Sequence, residues 1–182
     1  PVDQTAIYPD YRRNTVELGK IQATIDSVRN DKDVSITSVW LKGFASPESP
    51  YKHNTELAIG RTAALKKHIG QLYHFADSII RTDYEPEDWA GLRRQVEQSN
   101  INHRGEILAL IDSDMEPDAK EAKIKRTYPE EYRFMLQHFY PALRHTDYRI
   151  DYAIRTFSEV EEIKRIMAEQ PQKLSQNEFY LV

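Results

Sequence analysis

The stretch from residue 34 to residue 72 constrains the fold more than any other part of the chain. Residues 34–42 have the composition of a strand, Gly43 follows, and a short loop leads into a long helical pattern. Ser49 and Pro50 predict the helix start, with a capping hydroxyl before a first-turn proline. One face is expected to pack on a core because its residues recur at helical spacing: Leu57, Arg61, Ala64, Leu65, Ile69 and Leu72.

Arg61 is the unusual residue on this face. A guanidinium is always charged, and its planar fork of donors matches a carboxylate. Arg61 is therefore expected either to form a structural salt bridge near the end of the sheet or to face a cleft and bind the carboxylate of a ligand. The sequence leaves both alternatives open.

Strand and helix patterns alternate on both sides of this unit. Val2 to Tyr8 is a weak strand pattern, and a helix is expected from Asn14. A short strand is predicted at Ser78 to Thr82, and the clearest alternation runs from Asp147 to Phe157. The order strand, helix, strand, helix, strand predicts parallel pairing through crossovers. The expected fold is an α/β sandwich with a mixed sheet of about four strands.

Residues from about 85 to 146 predict a helical insertion before the last strand. Pro117 and Pro129 have the sequence context of first-turn prolines. The segment lacks the glycine and serine density of a flexible tether, so we expect it to pack on the sheet domain, residues 1–157. Residues 158–182 predict further helices, with capping boxes at Ser158 and Ser175, at the start of a longer helical region.

Composition excludes several classes of function. The chain has 182 residues, of which 40% are hydrophobic and 30% charged, as expected of a soluble globular protein. Its net charge of −4 argues against a nucleic-acid partner, and it has no cysteine for disulfides or thiolate zinc sites. No apolar run approaches the ~20 residues of a membrane-spanning helix. Histidine spacings predict no metal site, and no catalytic or nucleotide-binding motif occurs, so no enzyme activity and no cofactor are expected.

Gly43, Asn54, Leu57 and Arg61 lie at separations that resemble the signature of the OmpA-like (OmpA/MotB C-terminal) domain family. The resemblance implies a βαβαβ core and non-catalytic binding of peptidoglycan through the diaminopimelate of its stem peptide. It also implies a periplasmic location in a Gram-negative-type envelope, with attachment to the outer membrane through regions outside this chain. The sequence departs from the family at Ser46, where aspartate is usual, and at Gly60.

The resemblance also implies roles for individual residues. Arg61 would bind the carboxylate of diaminopimelate, while Ser46 and Glu48 would bind its ammonium. Glu48 is our hypothesis for a replacement of the family aspartate, and the alternative is a solvent-facing side chain near the helix N-terminus. Asn54 would shape the loop. Ala45 and Leu57 complete the set of candidate ligand-binding residues.

A second function class remains open. In this class the chain keeps the OmpA-like scaffold without wall binding and acts as a protein–protein interaction module, with envelope proteins recruited by the insertion. The replacement of the loop acid by Ser46 and the length of the insertion favour this alternative. A hydrolase acting on the wall is a third class.

Overall fold

The chain folds into a mixed α/β structure, and its computed structural model describes residues 14–181. Its strands are β1 (Val34–Phe44), β2 (Ile80–Glu85) and β3 (Thr146–Ile154). The helices are α1 (Asn14–Arg29), α2 (Tyr51–Tyr73), α3 (Trp89–Gln98), α4 (Arg104–Ile111), α5 (Pro117–Thr127), α6 (Pro129–His138), α7 (Tyr140–Leu143), α8 (Val160–Glu169) and α9 (Gln176–Phe179), with a 3-10 turn at Pro171–Lys173.

The sheet has the order β2-β1-β3, with β1 in the centre. The Phe44 N–H donates to the His145 carbonyl and the Arg155 N–H donates to the Asp33 carbonyl, each at 2.9 Å. Since these bonds join opposite ends of the two strands, β1 and β3 are antiparallel. The expected α/β class is confirmed with three strands among the described residues. The further strand expected at Val2 to Tyr8 lies outside them.

Gly43 lies inside β1, so the prediction that it follows the strand is wrong, and its φ is not positive. The glycine is required by close packing against α2. A Cβ at this position would lie 2.0 Å from Thr62 Oγ1 and 2.9 Å from the Ala58 carbonyl oxygen. No side chain fits between the strand and the helix here.

The buried face of α2 differs in part from the predicted one. Its buried residues are Asn54, Leu57, Ala58, Thr62, Leu65, Ile69 and Tyr73. Leu72, predicted to be buried, is exposed, while Arg61 and Ala64 are half-buried at the edge of the face. Gly43 explains the difference, because it brings the backbone of β1 onto the side of α2 that carries Ala58 and Thr62.

The start of α2 is also corrected by one residue. The helix begins at Tyr51, with Pro50 as its cap residue and without a capping bond from the Ser49 hydroxyl. Instead, the Tyr51 N–H donates to Asp118 Oδ1 of α5 at 2.8 Å. A carboxylate of the insertion therefore provides the bond expected from the loop serine.

Helices α3 to α7 form the predicted insertion between β2 and β3, and they have their own apolar core. Pro117 and Pro129 occupy first-turn positions as expected. The Asp88 carboxylate caps α3 by accepting from the Gly91 N–H at 2.7 Å. The buried core residues are Leu92, Val96, Ile107, Ile111, Ile124, Tyr132, Met135, Tyr140 and Leu143. All of these helices belong to the compact unit formed by residues 40–149.

Residues 16–39 and 150–181 form a second compact unit. Its core contains Phe157, Ile163, Ile166 and Leu174. The capping box predicted at Ser175 is confirmed, with the Glu178 side chain accepting from the Ser175 N–H at 2.7 Å. The box predicted at Ser158 is wrong, because α8 begins at Val160 with Glu159 as its cap residue.

Candidate functional site

The candidate site is the loop of residues 45–50, which joins the end of β1 to the start of α2. Ala45 fixes the loop to the chain after β2. Its N–H donates to the Glu85 carbonyl at 3.4 Å, and its carbonyl accepts from the Asp88 N–H at 3.0 Å. Ala45 and Ser46 are buried, and Glu48 is half-buried. These two bonds connect the first residue of the loop to the chain after β2, and neither bond involves a ligand.

Arg144, immediately before β3, closes the loop. Its Nε donates to Ser46 Oγ at 2.9 Å, and its Nη2 donates to the Glu48 carboxylate. The side chains of Arg144 and Glu48 are only 14% and 15% exposed, and Ser46 is 3% exposed. The two groups expected to bind a ligand ammonium are thus brought together, but they bind a guanidinium of the same chain.

Asn54 holds the loop to the rest of the molecule, as the sequence predicts. Its Nδ2 donates to the Ser49 carbonyl and to Glu87 Oε1, both at 2.7 Å. The other oxygen of Glu87 accepts from Trp89 Nε1 at 2.7 Å. Sequence analysis did not identify Glu87, since nothing in the residues around it signals a buried carboxylate.

Glu87 is 4% exposed and has neutral donors on both oxygens. Burial raises the pKa of Glu87 above its ordinary value of 4.5, and the bonds from Asn54 and Trp89 offset this only in part. The negative charges of Asp118 and Glu121 add to the increase. Ionisation of the Glu87 carboxylate therefore lowers the free energy of unfolding.

Glu87→Gln should change the pH dependence of stability. A group with a raised folded-state pKa contributes stability at low pH and loses it as pH rises through that pKa. The free energy of unfolding of the variant should therefore improve relative to the parent as the pH rises above about 4.5, the ordinary pKa of the glutamate. Urea denaturation at several pH values measures this difference.

The matched control is Glu130→Gln, which replaces an exposed glutamate of the same compact unit. Its unfolding free energy should follow that of the parent across the pH range. Parallel curves for the parent and Glu87→Gln would contradict the prediction.

Asn54→Ala should destabilise the protein. The change leaves the Ser49 carbonyl with no amide donor and removes one of two donors to the buried Glu87. We expect a loss of about 2–4 kcal/mol in the free energy of unfolding, because each unsatisfied buried group costs about 1–3 kcal/mol. The matched control Thr55→Ala, one residue along the helix, should change it by about 0.5 kcal/mol or less. Equal effects of the two variants in urea denaturation would contradict this role.

Leu57 and Arg61, the other signature positions of α2, differ in burial. Leu57 is buried in the core face and is not available to a ligand. Arg61 is half-buried and takes part in an interaction within the molecule.

A groove of about 600 Å³ opens beside the loop. Glu48 and Ser49 line one side, and helices α5 and α6 provide the remaining lining residues: Lys125, Pro129, Tyr132, Arg133 and Leu136. We call this the insertion groove. Sequence analysis missed it because the lining residues were interpreted as separate helix faces.

A smaller cavity of about 290 Å³ lies where α3 approaches the residues before β3. Its lining includes Asp88, Arg94, Gln95 and His145. The His145 ring stacks on Phe44 with a centroid distance of 4.4 Å, and its Nε2 lies 3.5 Å from Asp147 Oδ1. The His145 ring therefore contacts two residues of its own chain, Phe44 and Asp147.

Within residues 14–181, no cluster of three or more histidine, aspartate or glutamate side chains has a geometry that could hold a metal ion. In the same residues no helix has both the length and the apolar character needed to cross a membrane. Comparison of the chain with protein-family models, curated proteins and solved structures gives no match.

Proposed function

We propose that this chain is a non-catalytic protein-interaction module built on an OmpA-like scaffold, and that it does not hold peptidoglycan through diaminopimelate. The observation that carries the proposal is the contact of Arg144 with both Ser46 and Glu48. The resemblance implies that Ser46 and Glu48 bind the ammonium of the ligand. The cation that they bind here is the guanidinium of Arg144, which belongs to the same chain.

The energy needed to open this contact supports the proposal. A ligand ammonium would have to displace a guanidinium from a pair whose two side chains are about 85% buried. Separating a buried, hydrogen-bonded charge pair costs about 2–5 kcal/mol, which would weaken ligand binding by about thirtyfold to several thousandfold. Ser46 cannot compensate, since a hydroxyl does not neutralise an ammonium.

The signature residues have structural roles that do not require a ligand. Gly43 allows β1 to approach α2, Asn54 ties the loop to Glu87, and Leu57 is part of the core. A chain that lost wall binding would keep these residues to keep its fold. Their presence therefore supports the scaffold without supporting the ligand.

The insertion is the part of the molecule best suited to a partner. Helices α3 to α7 have an apolar core and supply Asp118 to the start of α2. A stable helical surface beside the loop offers a partner a preorganised face, which lowers the entropic cost of association. Envelope proteins are the partners that the OmpA-like scaffold implies.

Peptidoglycan binding in the periplasm is the competing candidate. Arg61 favours it, because this cation lies half-buried at the edge of the α2 face, at the position that the family uses for a carboxylate. Both candidates place the chain in the cell envelope, and both are non-catalytic.

Sedimentation with insoluble peptidoglycan separates the two candidates. We expect the purified chain to remain in the supernatant, while an OmpA-family domain that has the loop aspartate sediments as a positive control. Sedimentation of this chain that free diaminopimelate abolishes would overturn the proposal. Release of soluble muropeptides would instead indicate a wall hydrolase.

A further inference from the structure

Two cations of the insertion groove have no carboxylate partner among residues 14–181. Lys125 lies in the last turn of α5 and Arg133 in the second turn of α6, and both side chains are exposed. Neither forms an ion pair with another residue of the described part of the chain. Lys125 Nζ lies above the Tyr132 ring, 5.6 Å from its centroid.

Among the described lining residues of the groove, the one carboxylate is that of Glu48. Glu48 is bound by Arg144, and Glu121 accepts from the Tyr132 hydroxyl. Lys125 and Arg133 are therefore the charged lining residues that no ion pair within the described chain neutralises, in a chain whose net charge is −4. Two neighbouring cations in a groove favour anionic ligands.

The size and lining of the groove limit the kind of anion. A volume of about 600 Å³ lies within the range of ligand sites, about 300–1,000 Å³, and a single phosphate or carboxylate would fill little of it. Pro129, Tyr132 and Leu136 add apolar side chains to the lining. An extended peptide fits this pattern, with acidic side chains for the cations and an apolar side chain for the apolar lining residues.

We infer that the insertion groove binds an acidic, extended segment of a partner protein through Lys125 and Arg133. This inference rests on the proposed function, because it names the chemistry of the partner that the interaction module would recognise. Carboxylates of the segment pair with the two cations, and an apolar side chain between them packs on Tyr132 and Leu136.

The test is fluorescence polarisation with a labelled short peptide that alternates glutamate with leucine. The parent chain should bind this peptide, and binding should weaken as ionic strength rises toward about 0.15 M. A peptide of the same length with lysine in place of glutamate should not bind. Binding of both peptides alike would overturn the inference.

Charge reversal in the groove provides the specific variant. Lys125→Glu with Arg133→Glu should weaken peptide binding about tenfold or more, because two attractive contacts become repulsive. The matched control is Lys123→Glu with Arg126→Glu, which changes the net charge equally at exposed residues that do not line the groove. The control should bind within about twofold of the parent. Equal losses in the two double variants would overturn the groove assignment.

Failure of this inference is distinguishable from failure of the proposed function. If the chain neither sediments with peptidoglycan nor binds the acidic peptide, the groove assignment falls and the interaction module stands. If a soluble muropeptide displaces the labelled peptide from the groove, the occupant is a peptidoglycan stem peptide, and the partner-protein inference is overturned.

Discussion

Arg144→Ala should lower the free energy of unfolding by about 3 kcal/mol, because hydrogen bonds to charged groups contribute about 1.5–3 kcal/mol and the change leaves Glu48 as a half-buried anion without a cation. The Ser46 hydroxyl also loses its donor. Urea denaturation measures the loss. Arg126→Ala is the control, since this exposed arginine makes no ion pair among the described residues, and it should change stability by about 0.5 kcal/mol or less.

A double-mutant cycle isolates the contact itself. The combination of Arg144→Ala and Glu48→Ala should cost less than the sum of the two single changes, by about 1 kcal/mol or more, because the second change removes the unpaired charge. Additive effects would show that Arg144 and Glu48 are independent, and the closed loop would then have no energetic basis.

Gly43→Ala should strongly destabilise the protein. The new Cβ would lie 2.0 Å from Thr62 Oγ1, which a side-chain rotation can relieve, and 2.9 Å from the Ala58 carbonyl, which belongs to the helix backbone. We expect a loss of about 3 kcal/mol or more, the upper range for overpacked cores, because α2 must move away from β1. Thermal or urea denaturation measures it.

Gly105→Ala is the matched control for this prediction. Gly105 lies in α4, and nothing lies within 4 Å of a Cβ added there. The control should be neutral or stabilising by about 0.5–1 kcal/mol, because alanine favours the helix. Adding Thr62→Ala should recover part of the stability lost by Gly43→Ala but not all of it. Full recovery would show that the Ala58 backbone is not the obstacle.

The elements that sequence analysis predicted well depend on local patterns. The first-turn prolines Pro117 and Pro129 and the capping box at Ser175 each act within a few residues, so the sequence alone identifies them. Strand β3 was also predicted, because the side chains of a strand alternate between its two faces with a period of two residues.

The features that were missed depend on distant residues. Arg144 is separated from Ser46 by 98 positions and from Glu48 by 96, and no local pattern links them. The cap of α2 comes from Asp118, 67 residues after Tyr51. The burial of Glu87 likewise depends on Asn54, 33 residues away. These contacts hold the loop, so the sequence could indicate the candidate loop but not the Arg144 guanidinium that binds Ser46 and Glu48.

Titration of the isotope-labelled chain with a soluble muropeptide that contains diaminopimelate, followed by NMR of the backbone amides, examines the loop directly. With Arg144 bound to Ser46 and Glu48, the amide signals of Ala45, Ser46 and Glu48 should stay unchanged as the muropeptide is added. Saturable shifts of these signals, together with a shift of the Arg61 side-chain signal, would contradict the closed loop and would indicate peptidoglycan as the ligand.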